Sequence, residues 1–508
     1  MIMNLSFCNS IFSFFLINKK IEHVERGVCN SFGQYYIYTD TNATTVDSFE
    51  KADRQLVIIG KYVDVFSGDS LSLAKKIIEA TNDIDGIIDC EKKLGGKYVI
   101  FYRESDNVYC LGDATGSMPV YYTWVNNEFC CSSKIEWIRE WYSLECTESH
   151  LNIRQAGDIS QALPYDITVY KGVRQLLPNH YIDAHKEMVK RFVNYRERPN
   201  EISPDTAAKE TLPLIENLLR YFLSCYTIYC PITSGRDSRV VLAFMKTCCP
   251  YDFQCYTIKH DGMDASSQEL QIPHQLTAIA KEPYSVINDQ IVPETLKESI
   301  DNVLGKGMYS HRTLQIGHTI QTQYGDGAIV NGDSIGQVGK CSLHRDIPER
   351  LAGPRYFRCK LHNYSKESIV LLKKWMDEID ASGENVNLFD LFSIENRLGR
   401  WAAQENLLYN ELGQVYLNIF NSRSILYTWT AVNRKYRKNA QIHIELIKRL
   451  QPSLLSVPFE ADGMMAKVSK SNGIIFYLSS FAKYYLQKIL FLIRKGKKSH
   501  ETFDNYSG

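Results

Sequence analysis

The sequence predicts two domains of different class: a mostly antiparallel α+β sandwich over residues 1–195, then a doubly wound parallel α/β sheet with a helical C-terminal part. Three observations carry this. The chain has 508 residues, more than one hydrophobic core normally serves. Up to about residue 195, short apolar runs are separated by turn residues, the pattern of antiparallel strands. Beyond residue 205, strands alternate with long helical segments, the pattern of a parallel sheet.

Within the first domain, the run 56–59 is closed by Gly60, and the run 97–103 is opened by Gly95 and Gly96. Runs at 108–111, 120–124 and 129–132 follow, while 71–80 has helical spacing through Leu71, Leu73, Ile77 and Ile78. The apolar stretch 5–18 reads as a buried first strand; Lys19 and Lys20 follow it instead of preceding it, which is the wrong order for a signal peptide. Residues 196–205 concentrate charges and two prolines, so the linker is placed there.

The second domain, 206–473, begins with a helix over 207–224, a strand over 228–232 and a helix over 239–246. A strand over 253–258 and a helix over 269–280 come next, and 388–450 reads as helical throughout. Residues 474–508 form an amphipathic helix and tail. The apolar run 474–493 contains Lys483 and Lys488 and leads into Arg494, Lys495, Lys497 and Lys498, which suits a helix docked on the protein or lying on an anionic membrane surface, not one that spans.

Fifty-eight basic residues balance fifty-eight acidic ones, which removes any global electrostatic case for a nucleic-acid partner and leaves only a local patch open. The fourteen cysteines include no Cys-x-x-Cys spacing, so neither zinc nor a redox pair is signalled; they read as buried thiols of a reduced, cytoplasmic protein.

The segment with chemical content is Thr233-Ser234-Gly235-Arg236-Asp237-Ser238, between a predicted strand and a predicted helix. A strand-to-helix loop presents backbone N–H groups and the positive end of a helix dipole, which together suit phosphate. Gly235 lets an oxygen approach the backbone, the hydroxyls of Thr233, Ser234 and Ser238 add donors, and Asp237 is placed to hold magnesium. The plainer alternative is a helix N-cap.

This loop resembles the SGGxDS signature of the asparagine-synthetase family, with Thr233 and Ser234 in place of its Ser and first Gly. Lys97-Tyr98-Val99-Ile100-Phe101, Leu111 to Gly116 and Val120-Tyr121-Tyr122 are similar to the G-x-Y, D-x-x-G and YY order of that family's amidotransferase-like domain. Leu163 to Thr168 with Leu176-Leu177-Pro178-Asn179-His180 resembles its interdomain segment, and the helical stretch 397–458 resembles versions encoded with bacterial surface-polysaccharide genes. The resemblance implies an Ntn-hydrolase-like sandwich, inactive as a glutaminase, followed by an adenine-nucleotide α-hydrolase-like sheet. It implies ATP and Mg2+ as cofactors, and an AMP- and pyrophosphate-forming ligase that joins a small-molecule or sugar-acid carboxylate to ammonia or an amine. Thr233, Ser234, Gly235, Asp237 and Ser238 would contact pyrophosphate, Ile232, Thr257 and Ile258 would border adenine, Gly332 would belong to a second phosphate loop, and Asp237 and Asp333 would hold the metal. Lys467, with Lys470 as competitor, would be the catalytic lysine, and Arg236 and Arg239 either add charge at the phosphates or sit exposed on the first helical turn.

Two departures from the family pattern stand out. The chain opens Met1-Ile2-Met3, without the family's N-terminal nucleophilic cysteine; Cys8 would serve only after a cut just before it. In the second loop, Asn331 to Gln337, Gly336 and Gln337 replace an Asp-Glu pair. Two other readings therefore stand beside the ligase: a lactam-forming peptide cyclase, and an inactive ATP-binding scaffold.

Overall fold

The structure, a computed structural model, describes residues 4–7, 11–41, 44–155, 163–192, 201–260, 262–264, 266–305, 309–343, 347–382, 387–459 and 472–504. Lys467, Lys470 and Cys8, and residues 196–200 of the expected linker, lie outside them.

Two six-stranded sheets face each other in the first part. One runs in the order Arg174–Gln175, Tyr121–Val125, Glu128–Ser132, Phe14–Ile17, Tyr35–Asp40, Gly27–Phe32. The other runs Met188–Arg191, His180–Asp183, Asn107–Gly112, Leu94–Glu104, Arg54–Asp64, Thr45–Lys51. Successive side chains of a strand point to opposite faces. Val57, Ile59, Val99 and Phe101 accordingly enter the core between the sheets with Phe14, Leu16 and Ile37. Leu56, Ile58, Ile100 and Tyr102 point outward onto Leu73, Ile77, Ile78 and Ile87 of the helices Leu73–Ala80 and Ile84–Glu91. The other sheet is covered the same way, Phe15, Ile17 and Tyr38 packing on Ile135, Trp137 and Ile138 of the helix Ile135–Tyr142. Because both faces of each sheet are buried, the strands read as continuous apolar runs instead of alternating ones. At the centre of the second sheet the ladder needs glycine: a Cβ on Gly96 (φ +130°) would lie 2.2 Å from the Lys61 carbonyl oxygen.

The expected first strand 5–18 is divided. Asn4–Ser6 pairs in parallel with His23–Glu25, and only Phe14–Ile17 enters the large sheet. Phe12 between them has φ 54°, a turn that breaks any single strand there.

The second part opens with the helix Pro204–Cys225, capped by the Ser203 hydroxyl, which accepts from the Thr206 N–H. Five strands then form a wholly parallel sheet in the order Tyr284–Asn288, Cys255–Lys259, Ile228–Pro231, Gly327–Asn331, Gln414–Asn418. Gln414–Asn418 corrects the expectation of helix throughout 388–450. Gly413 at φ +76° stops the helix Ala403–Glu411, and the Gln-Val-Tyr-Leu-Asn run that follows adds a fifth strand beside Gly327–Asn331.

Polar groups lock the two parts together. Arg423 donates from Nε to Glu91 Oε2 (2.7 Å) and from one terminal nitrogen to Glu91 Oε1 (3.1 Å), both side chains being sealed from solvent. Asn421 donates to Asp113 at 2.8 Å, and its carbonyl accepts from Gly96 N–H at 2.9 Å. Glu395 takes a two-pronged ion pair from Arg191 and a bond from Trp375 Nε1 at 2.8 Å. Among the described residues no helix is long and apolar enough to cross a membrane.

Candidate functional site

In the parallel sheet, chain order reverses between Ile228–Pro231 and its neighbour Gly327–Asn331, since strands are added first on one side and then on the other. A crevice outside the carboxyl ends of two such strands is where open α/β sheets hold ligands. The loop 233–238 leaves one of them and the loop 332–337 leaves the other.

The first loop is tied to itself. Ser238 Oγ accepts from the Thr233 N–H at 3.1 Å and lies 3.0 Å from Thr233 Oγ1, which in turn accepts from the Gly235 N–H at 3.2 Å. Gly235 then caps the helix Arg236–Cys248, whose thirteen residues aim a dipole at the loop. Thr257 is buried, and its hydroxyl donates to the Ile232 carbonyl at 2.6 Å, fixing the start of the loop to the end of the next strand. Ser234 is buried too, and its N–H reaches Glu269 at 3.4 Å.

The two loops touch at Asp237. A Cβ on Gly332 would sit 3.2 Å from the Asp237 Cβ, and one on Gly336 would sit 2.9 Å from Asp237 Oδ2. Glycine at both places is what admits the Asp237 side chain between the loops. Its carboxylate accepts from Lys340 Nζ at 2.7 and 3.0 Å and from His443 Nε2 at 2.8 Å. Burial works against the charge, but the His443 bond and the Lys340 ammonium outweigh it and hold the Asp237 carboxyl well below the usual range. Burial pushes the His443 imidazole down, with the Asp237 bond opposing.

Beyond Asp237 lie two further carboxyls, Asp333 and Glu405. Burial, with a smaller contribution from the Asp237 charge, pushes Asp333 up to about 6 against a hydrogen bond from Tyr416 and the Arg397 guanidinium. Burial and the neighbouring Asp333 push Glu405 up to about 8, although Thr313 Oγ1 donates to it at 2.9 Å and Arg397 opposes the rise. Because the two carboxyls interact, their titration belongs to the pair and not to either residue alone.

Sequence reasoning reached Ile232 to Ser238, Thr257, Ile258, Gly332 and Asp333, which the structure brings to the ends of three adjacent strands. It missed Lys340, His443, Arg397 and Glu405, each far along the chain from the loop it serves. Arg239 is corrected: it neither faces the crevice nor sits exposed. It is fully buried, donating to the carbonyls of Leu454 (3.2 Å), Val457 (2.6 Å) and Pro458 (3.1 Å), with Phe459 over its guanidinium at 4.2 Å.

A magnesium ion held by Asp237 and Asp333 does not fit the donor set. Both Asp237 oxygens already accept from Lys340 or His443, and a side chain at Gly336 would meet Asp237 Oδ2 at 2.9 Å. Among the described residues no three His, Cys, Asp or Glu side chains gather as a metal site. Lys340 supplies positive charge where the sequence suggested a metal.

Fold and crevice together define a two-part α/β chain: a four-layer sandwich of helices and antiparallel sheets, joined to a doubly wound parallel sheet whose switch point carries two facing loops. No protein-family model matches the chain, and no curated protein does. Among solved structures, it is similar to the glutamine phosphoribosylpyrophosphate amidotransferase from B. subtilis complexed with ADP and GMP, at 11% identity over 66% of this chain and 72% of that one, with a TM-score of 0.22. It is also similar to a structure of the allosteric regulatory enzyme of purine biosynthesis, at 11% identity over 57% and 65% of the two chains, with a TM-score of 0.24. At such scores the likeness carries no argument about this chain.

Proposed function

We propose that the chain is an asparagine-synthetase-like, AMP-forming amide-bond ligase built from an amidotransferase-like sandwich and an ATP-binding sheet. The observation that carries the reading is the meeting of two Gly-containing loops on Asp237 at the switch point of a parallel sheet. The first-turn backbone N–H groups of 236–238 and the Lys340 ammonium bind the β- and γ-phosphates of ATP, with Thr257 and Ile258 flanking the base. A substrate carboxylate oxygen attacks the α-phosphorus and pyrophosphate leaves. An amine or ammonia nitrogen then attacks the acyl carbon and AMP leaves, while the amine's proton passes to the Asp333 carboxylate of the second loop. Rate enhancement comes from positioning and fixed charge.

A second reading, nucleotide binding without turnover, is favoured by one observation: the Asp237 carboxylate is taken by Lys340 and His443. One assay separates the two. Supplied with ATP and its magnesium counter-ion, ammonium and a panel of carboxylates, the protein should release pyrophosphate, and Asp237→Ala should abolish the release. Tight ATP binding with equal background release from wild type and Asp237→Ala would leave the binding-only reading standing and sink the ligase.

A further inference from the structure

The helix Gly473–Asp504 uses its faces differently. One face docks. Tyr484 is 1% exposed and its hydroxyl donates to the Asn363 carbonyl at 2.9 Å, Tyr477 stacks on Tyr356 at 5.1 Å, and Phe491 lies 5.0 Å from Tyr364. The opposite face carries Ile475, Leu478, Leu486, Ile489 and Ile493, all exposed, Leu486 at 61%. At ~100° per residue these five fall in a stripe roughly 80° wide, and at 1.5 Å per residue it runs for ~27 Å. The five side chains are exposed and make an apolar stripe of a kind monomers rarely leave.

Charge identifies the occupant. Lys483 and Lys488 lie to either side of the stripe, on the order of 100° from its centre. The sequence then continues through Arg494, Lys495, Lys497 and Lys498, and no Asp or Glu occurs between Gly473 and Ser499. An apolar stripe bordered by cations and free of acids matches the acyl–headgroup boundary of an anionic leaflet. We propose that this face of the helix lies in the plane of an anionic lipid surface, holding the protein peripherally. The inference rests on the helix alone and is independent of the ligase reading.

The full-length protein should co-sediment with phosphatidylcholine vesicles containing about one-third phosphatidylserine at least about tenfold better than with phosphatidylcholine alone, and release as salt is raised. Leu486→Gln/Ile489→Gln/Ile493→Gln should reduce co-sedimentation to the phosphatidylcholine level without lowering the melting temperature, since all three side chains are exposed. Lys483→Glu/Lys488→Glu, which keeps the stripe, should lose the preference for anionic vesicles. Three outcomes overturn the proposal: no binding of wild type to anionic vesicles, equal binding to both vesicles, or a triple glutamine variant that binds like wild type. A concentration-dependent dimer in sedimentation velocity that the triple variant abolishes would assign the face to a second copy and overturn it as well.

Discussion

Replacing Glu405 by glutamine should stabilise the protein in alkaline buffer and leave it nearly unchanged in mildly acidic buffer. The Glu405 carboxyl is raised from 4.5 to about 8 in the folded chain, so between those values the native state binds more protons than the unfolded state. Stability then falls as pH rises through this window, and the whole contribution has been lost once pH passes the folded value. A tenfold difference in proton affinity between the two states is worth ~1.4 kcal/mol, which sets an upper bound of roughly 5 kcal/mol. Glu405 is half-buried and titrates together with Asp333, so screening and coupling reduce this to about 2–3 kcal/mol. Glutamine is neutral at every pH and its carbonyl can still accept from Thr313. Thermal melts at about pH 9 should therefore show the variant roughly 2–3 °C above wild type for a chain of 508 residues, while at about pH 5 the two should agree to within ~1 kcal/mol. A melting-temperature difference that stays the same at both pH values would refute the account, because it would mean that Glu405 acts through packing and not through its charge.

Three further outcomes follow from the geometry. Lys340→Met leaves Asp237 with His443 alone, so ATP affinity measured by calorimetry should drop by about tenfold or more, the loss expected when a charge-assisted phosphate contact goes. Glu91→Gln leaves Arg423 buried without its anion and should cost about 3–5 kcal/mol in denaturant unfolding, whereas Glu91→Met/Arg423→Met should recover most of it; equal losses in both would show that the charges are not what matters. Gly336→Ala forces a methyl to 2.9 Å from Asp237 Oδ2 and should cost about 1–3 kcal/mol in the same experiment, against within ~0.5 kcal/mol for Gly112→Ala, where nothing lies within 4 Å.

The loop 233–238 was legible because everything that makes it a loop is local: an apolar run before it, small residues in it and a helix after it. Its partners were not. Lys340 and His443 reach Asp237 from 103 and 206 residues away, and no spacing rule connects positions so distant. Glu405 was hidden because its significance is burial beside Asp333, which a helical residue's sequence neighbours do not reveal. The strand Gln414–Asn418 was absorbed into a helical stretch although Gly413 and the alternating Val415 and Leu417 marked it. Arg239 was misjudged because a first-turn arginine is usually solvated, and the carbonyls that claim it belong to residues 215 and more positions later.

The seam between the two halves also limits how such a chain can be rearranged. Val57 and Phe101 of the sandwich and Leu218 and Phe222 of the helix Pro204–Cys225 belong to one continuous apolar cluster, and Arg423 finds its anion only across the boundary. A foreign sandwich grafted onto this parallel sheet would need a carboxylate at the place of Glu91 and an acceptor at that of Asp113, or it would entomb a bare guanidinium. Recombination at residues 193–200 would therefore succeed only between parents that share this pairing, so the halves are heritable as a matched set and not as interchangeable modules.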